Sequence, residues 1–194
     1  MKSMPLLFGL LAAAFVTFLL GIAAGVNGER PGFIGILVGV AIGAAVMLLL
    51  NNLSGNRKTE QADPESRRKA LAFEAATDKA ALYLVRTGFV GKAAGMDLAI
   101  DGKIVVQLKS PRFARIDLAP GGHKITASFS GGLASQTKPS ELDLDVAPGE
   151  IVVLKLALGF GATKAPISIE RVGADVVRGQ LPGMTMVKLE AAAA

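Results

Sequence analysis

Histidine and cysteine are almost missing from this sequence: His123 stands alone and Cys is absent, which removes most routes to a metal centre or a nucleophilic triad. A zinc site or a Ser-His-Asp arrangement needs partners for that imidazole. His123 follows Pro120-Gly121-Gly122 at the start of an alternating apolar run, so the expected role is a strand-start imidazole bonded to a nearby turn. A site built from oxygen ligands alone stays open beside it. Asp143 and Asp145 flank Leu144, which places both carboxylates on one face of a strand. Paired carboxylates can move protons or hold a cation; a solvated outer face has the same spacing and is the expected reading. Gly159-Phe160-Gly161 resembles a fragment of a phosphate loop but lacks the G-x-x-x-x-G-K-[ST] pattern and a following helix. No catalytic residue, metal or cofactor is predicted, and no small-molecule substrate. Nucleic acid is not predicted as a partner either, because the 21 Lys and Arg residues are dispersed among 16 Asp and Glu and there is no Trp and one Tyr for base stacking.

The elements that carry these residues fall into two regimes. Within residues 1–53 the only ionisable side chains are Lys2, Glu29 and Arg30. Residues 5–26, PLLFGLLAAAFVTFLLGIAAGV, reach roughly 33 Å as a helix, and residues 33–50, FIGILVGVAIGAAVMLLL, roughly 27 Å, against a hydrocarbon core of about 30 Å. NGERPG between them is a short turn, so residues 1–53 are predicted to form a two-helix transmembrane hairpin. Lys2 followed by an apolar run also imitates a cleaved signal peptide. That run is longer than the usual h-region of about 7–15 residues, and no A-x-A cleavage site follows it. Basic residues favour the cytoplasmic side. Lys2 lies before the first span and Arg57, Lys58, Arg67, Arg68 and Lys69 after the second, with only Arg30 between, so both termini and the downstream domain are placed in the cytoplasm at a bacterial inner membrane. Cleavage of the first helix would instead put that domain in the periplasm.

Small residues recur every fourth position: Gly9, Ala13, Thr17, Gly21 and Gly25 in the first span, Gly35, Gly39 and Gly43 in the second. Hydrocarbon gives no hydrophobic drive between helices, so close backbone approach along such ridges supplies the contact. These eight residues are the predicted helix-packing positions, within the hairpin or against another membrane protein. Spans without Asp, Glu, Lys, Arg or His offer no charged relay for protons or ions.

Residues 54–79 form a mixed-charge juxtamembrane connector. Asp63-Pro64 reads as N-cap and first helical residue, with Glu65 in the first turn and a short helix to about Thr77. Arg57, Lys58, Arg67, Arg68 and Lys69 are candidates for contact with lipid headgroups, or else a solvated basic face.

From Ala80 the apolar period drops to two. ALYLVR (81–86), MDLAID (96–101), KIVVQLK (103–109), ARIDLA (114–119), HKITASFS (123–130), ELDLDVA (141–147), IVVLKLAL (151–158) and ISIERV (167–172) predict seven or eight strands in an antiparallel β-sandwich or barrel over 80–172. Asp101-Gly102 is a two-residue hairpin signal. GGLASQTKPS (131–140) is the longest loop and a first guess for a contact surface. Residues 173–194 are expected to form a turn of helix and an extended tail, with Val176, Val177 and Leu181 able to pack on the sandwich or on a partner; the final Leu-Glu-Ala run receives no role.

Tyr83 and Arg86 in the opening strand, Ile100-Asp101-Gly102, Leu118-Ala119-Pro120-Gly121 followed by His123, and Ala147-Pro148-Gly149-Glu150 before an apolar strand together resemble a small bacterial β-sandwich family akin to PEGA-type and transthyretin-like domains. The resemblance covers about half of the chain. It implies a compact antiparallel sandwich tethered at a bacterial membrane or envelope, and no catalytic residue. Relatives are commonly exported lipoproteins, whereas this chain has no Cys for a lipid anchor and lacks the literal Pro-Glu-Gly-Ala string, so an extracytoplasmic location does not carry over. The resulting expectation is a membrane-anchored all-β protein acting as a non-enzymatic accessory or scaffolding subunit, with membrane lipids and other integral membrane proteins, or copies of itself, as partners. A self-assembling pore or transport component and a membrane-tethered ligand-sensing module are the alternatives.

Overall fold

The structure, a computed structural model, describes residues 4–28, 32–161 and 164–190. Lys2, residues 29–31 of the predicted turn and the alanines at 191–194 lie outside the described residues. The chain divides into two compact units, one ending at Ser54 and the other beginning at Gly55.

The first unit is a pair of packed helices, α1 (Met4–Val26) and α2 (Phe33–Leu53). Each is long and apolar enough to cross a bilayer, with mean hydropathy 2.5 and 2.8 over its central window. Among the described residues those buried in the pair are Gly9, Gly39 and Gly43, while most large side chains of both helices, including Phe8, Phe15, Phe18, Ile34 and Leu49, are exposed. Ser54 closes α2: its N–H and hydroxyl both donate to the Asn51 carbonyl.

In the second unit all eight alternating runs form strands: β1 (Ala80–Arg86), β2 (Met96–Ile100), β3 (Lys103–Leu108), β4 (Arg112–Leu118), β5 (Gly121–Phe129), β7 (Ser140–Val146), β8 (Ile151–Leu158) and β9 (Ala165–Val172). Two more, β6 (Thr137–Lys138) and β10 (Thr185–Met186), bring the number among the described residues to ten. They are two residues long, too short to show a period, and they fall in the expected loop and tail. The strands form two sheets, ordered β10-β4-β1-β8-β9-β6 and β3-β2-β5-β7. The four-stranded sheet is antiparallel throughout. The six-stranded sheet is mixed, because β1 pairs parallel with β8, β10 with β4 and β6 with β9. The expectation of a purely antiparallel arrangement of seven or eight strands is therefore corrected. Parallel partners need long crossovers, and no local sequence signal marks them.

Strand β1 is buried along its whole length. One face, Ala81, Tyr83 and Val85, packs with Phe113 and Val153 under the flanking segments, which supply Ala70, Phe73, Val177, Leu181 and Met184. Those segments are α3 (Pro64–Ala72) and α4 (Ala174–Arg178) with the 3-10 turn Leu181–Gly183, so the expected connector and tail are parts of this unit's core. Helix α3 starts as the sequence predicts, the Ser66 N–H donating to the Asp63 carboxylate at 2.9 Å. It ends earlier than Thr77, at Phe73, which takes a left-handed conformation (φ 54°). There the Phe73 ring stacks on Tyr83, 4.7 Å between centroids, and the Tyr83 hydroxyl donates to the Ala70 carbonyl at 2.7 Å. Tertiary packing thus stops the helix where its local sequence would continue.

Arg86 closes β1 with only 1% of its surface exposed. Nη1 donates to the carbonyls of Ala94 (2.5 Å) and Leu108, and Nη2 to that of Gly91 (2.8 Å), while the guanidinium lies 5.1 Å from the Phe129 ring centroid. No carboxylate is among these partners. Burial pulls its pKa down to about 10, so the group remains a cation at neutral pH, held by carbonyl dipoles. A planar fork satisfies three carbonyls together and a lysine ammonium cannot reproduce that geometry. Arg86→Lys should lower the stability of the β unit by about 1–3 kcal/mol, read as a lower urea midpoint in the strand circular-dichroism signal; an unchanged midpoint would show that the fork is dispensable.

Candidate functional site

The predicted packing residues separate into two sets. A Cβ added to Gly43 would lie 2.5 Å from the Gly9 carbonyl oxygen and 2.6 Å from the Ala13 Cβ; one on Gly9 would lie 2.7 Å from the Met47 Cβ. A Cβ on Gly39 would collide with Thr17 and stand 3.0 Å from the Ala13 carbonyl oxygen. Gly9, Ala13, Thr17, Gly39 and Gly43 therefore form one seam in which the backbones approach as only glycine permits. Gly35 meets Leu20 at an ordinary 3.7 Å, Gly21 is half-buried, and Gly25 has nothing within 4 Å of its would-be Cβ. The ridge extends past the part that the hairpin uses.

The five predicted headgroup contacts also divide. Arg57 binds within the β unit: its Nη2 donates to Asp97 Oδ1 at 2.5 Å, its Nη1 to Glu190 Oε2 at 2.8 Å and its N–H to Gln107 Oε1 at 2.7 Å. Gln107 Nε2 donates to Asp97 Oδ1 at 2.8 Å and to the Gly55 carbonyl at 3.0 Å, and the Ser130 hydroxyl donates to Asp97 Oδ2. Asn56 adds two bonds to the loop after β1, giving to the Ala93 carbonyl at 3.0 Å and receiving from the Gly95 N–H at 2.6 Å. Residues 55–57 are thus latched onto β2 and β3 by a buried polar pair, Asp97 and Gln107, which are cross-strand neighbours. The sequence reading missed these two. Their signal is a polar residue on each of two paired strands, legible only once the register is known. Arg67 donates to the carbonyls of Met184 (2.9 Å) and Pro182 (2.7 Å), fixing α3 to the tail. Lys69 pairs with Glu65 at 2.9 Å on the exposed side of α3, and Lys58 and Arg68 are exposed.

A groove of about 970 Å³ runs between the 57–69 segment and the C-terminal strand, lined by Arg57, Lys58, Lys69, Arg115 and Lys188 together with Glu60, Asp63, Asp117 and Glu190. Its charges largely answer one another: Arg57 with Glu190, Arg115 with Asp117 at 2.9 Å, Lys188 with Glu60 at 3.6 Å. Such a groove presents no committed sign to a ligand.

His123 sits between two acceptors. Its Nδ1 is 2.7 Å from Asp101 Oδ2 and its Nε2 is 2.9 Å from the Ala119 carbonyl, so the doubly protonated ring satisfies both. Asp101 also accepts from the Lys124 N–H at 2.8 Å. Asp101 (φ 51°) and Gly102 (φ 80°) are both left-handed, as a type I′ hairpin requires, and His123 ties that hairpin to the β4–β5 turn. Asp143 and Asp145 are exposed, whereas Leu144 and Val146 are buried, which is the arrangement of a solvated strand face. Gly159 ends β8 in a hairpin, its N–H donating to the Pro166 carbonyl at 2.9 Å. Among the described residues no three His, Cys, Asp or Glu side chains are grouped to hold a metal ion. Compared with known proteins, the chain matches no family model and no curated protein.

Two tests follow from this geometry. Gly43→Ala should destabilise the helix pair by about 1–3 kcal/mol through overpacking, whereas Gly25→Ala should be neutral or stabilise by up to about 1 kcal/mol through helix propensity. Far-UV circular dichroism during an SDS titration reads both, and equal midpoints would contradict the seam. For His123, the hydrogen bond it gives to Asp101 and then that to the Ala119 carbonyl raise the imidazole pKa above its ordinary 6.5. A raised folded-state pKa gives stability that is fully present below the unfolded value and lost as pH rises through the folded one. The lone histidine's NMR titration should therefore have its midpoint above 6.5, and Asp101→Asn should bring it down; a midpoint at or below 6.5 would contradict the bridge.

Proposed function

We propose that this protein is a non-catalytic integral membrane subunit, in which the helix pair lies in a bilayer and the β unit serves as an aqueous accessory or scaffolding module for a larger membrane complex. The observation that carries this reading is the helix pair itself. Its contact buries glycines, and its large apolar side chains point outward around both helices. In water such a surface would aggregate; in hydrocarbon it is solvated, and glycine-mediated contact is the way helices associate there.

The open stretch of ridge at Gly25, with Gly21 half-buried beside it, offers close approach to a further span from a partner protein or from another copy. A binding rather than catalytic role for the β unit is supported by the structural bridges that hold Arg57, Asp97, Asp101 and His123 and by its charge-balanced groove. Its two sheets, flanked by α3 and α4, make a sandwich-like module, and the turn signatures at 100–102, 118–121 and 147–150 support the likeness to PEGA-type and transthyretin-like domains. The excess of Lys and Arg after α2 favours the cytoplasmic side of a bacterial inner membrane.

Purification at native expression levels in mild detergent, with in-membrane cross-linking and mass spectrometry, tests this proposal. Cross-links joining a partner span to positions near Gly21 and Gly25 are expected. A monomeric species that brings down no membrane protein would sink the subunit reading.

A further inference from the structure

Two phenylalanines in the β unit have no cover: Phe89 is 80% exposed and Phe160 is 88% exposed. Both lie at one end of the six-stranded sheet. Strands β1 and β8 run parallel, with Arg86 beside Leu156, and Phe89 follows β1 as Phe160 follows β8. The 87–95 loop packs on the end of β8: the Thr87 N–H donates to the Leu156 carbonyl, and a Cβ on Gly91 would touch the Leu158 side chain at 2.9 Å. Two large aromatics left exposed on loops at the same end of one sheet are costly in water and point to a contact surface.

The charge of this end is one-sided. Its described loop residues, 87–95, 109–111, 130–138, 159–161 and 164, contain Lys92, Lys109, Lys138 and Lys164 and not one Asp or Glu. The turns at the opposite end carry Asp78, Asp101 and Glu150 beside Lys79. Lys92 places its Nζ 4.9 Å from the Phe89 ring centroid, so an apolar plate and a cation share one loop tip. Asn56, bonded to Ala93 and Gly95 in that same loop, follows the last residue of α2 by three positions in the chain. A tether that short keeps whatever surface α2 occupies at high effective concentration for this end of the unit.

We propose that this end of the β unit is a lipid-interface surface: Phe89 and Phe160 enter the interfacial layer of the bilayer, and Lys92, Lys109 and Lys164 meet the phosphates of anionic headgroups. Aromatic side chains partition to that layer, and a basic rim is attracted to anionic lipid. The inference rests on the membrane reading of α1 and α2 and deepens it. It also moves the lipid contact away from Arg57 and Arg67, whose donors are engaged within the unit.

The chain has no Trp, so single Trp substitutions are clean reporters. Full-length Phe89→Trp, Phe160→Trp and, at the opposite end, Lys103→Trp would each be reconstituted in vesicles of phosphatidylethanolamine and phosphatidylglycerol, washed in alkali, and read by tryptophan emission and by quenching from lipids brominated near the headgroup. The expected result is blue-shifted, quenched emission for the first two, none for the third, and a loss of quenching when Lys92→Glu and Lys164→Glu are added. Chain retained after the wash, with all three reporters emitting alike and unquenched, overturns this inference and leaves the membrane reading standing. A blue shift without quenching assigns the patch to a protein contact and likewise overturns it. Release of the chain by alkali overturns both, and at an earlier step.

Discussion

Uncovered hydrocarbon on the helix pair is the constraint to which the other features answer. Burying apolar surface is worth about 25 cal/mol per Å², and α1 and α2 forgo much of it, because their closest approach is made by Gly9, Ala13, Thr17, Gly39 and Gly43 rather than by large side chains. A soluble helical hairpin would be built the other way, with leucines inside and charges outside. The Gly9–Gly43 approach makes sense where the surroundings are as apolar as leucine, so that backbone proximity rather than hydrophobic exclusion decides which faces meet. Assigning the exterior to lipid is our proposal; the inside-out distribution that motivates it is a property of the structure.

The β unit solves a different problem, holding loops and terminal segments onto a mixed sheet in water. It does so with polar anchors of one type: a side chain with several hydrogen-bonding groups tying segments distant in sequence. Arg86 gathers three carbonyls from the 91–94 loop and the end of β3. Asp97 and Gln107 receive the chain at Gly55 and Arg57. His123 and Asp101 clasp two turns at the far end. Breaking one partner of such an anchor leaves the rest desolvated, which costs more than the bond itself contributes. That is why these groups belong to architecture.

Much of this was legible in the sequence, for physical reasons that also mark where legibility stops. Alternation revealed the eight longer strands from the sequence pattern; β5 and β7 carry it as a buried and a less buried face, whereas β1 is buried throughout. It said nothing of the parallel β1–β8 pairing, which joins residues some seventy apart by a register that no local pattern encodes. Asp63-Pro64 gave the start of α3, while its end at Phe73 depends on a stacking partner in β1. Gly9, Gly39 and Gly43 were found by spacing, but spacing alone cannot separate them from Gly25, since which part of a ridge meets the other helix is a tertiary fact. Arg57 looked like a free juxtamembrane cation; its partners, Asp97 and Glu190, lie 40 and 133 residues away.

The central claim is that lipid covers the outer faces of α1 and α2. Labelling native membranes with a photoactivatable probe confined to the acyl region, followed by peptide mapping, tests it most directly. The account predicts label on outward residues such as Phe15, Phe18, Ile36 and Leu49, with Gly39 and Gly43 spared. An unlabelled chain that stays in the aqueous fraction without detergent would contradict it.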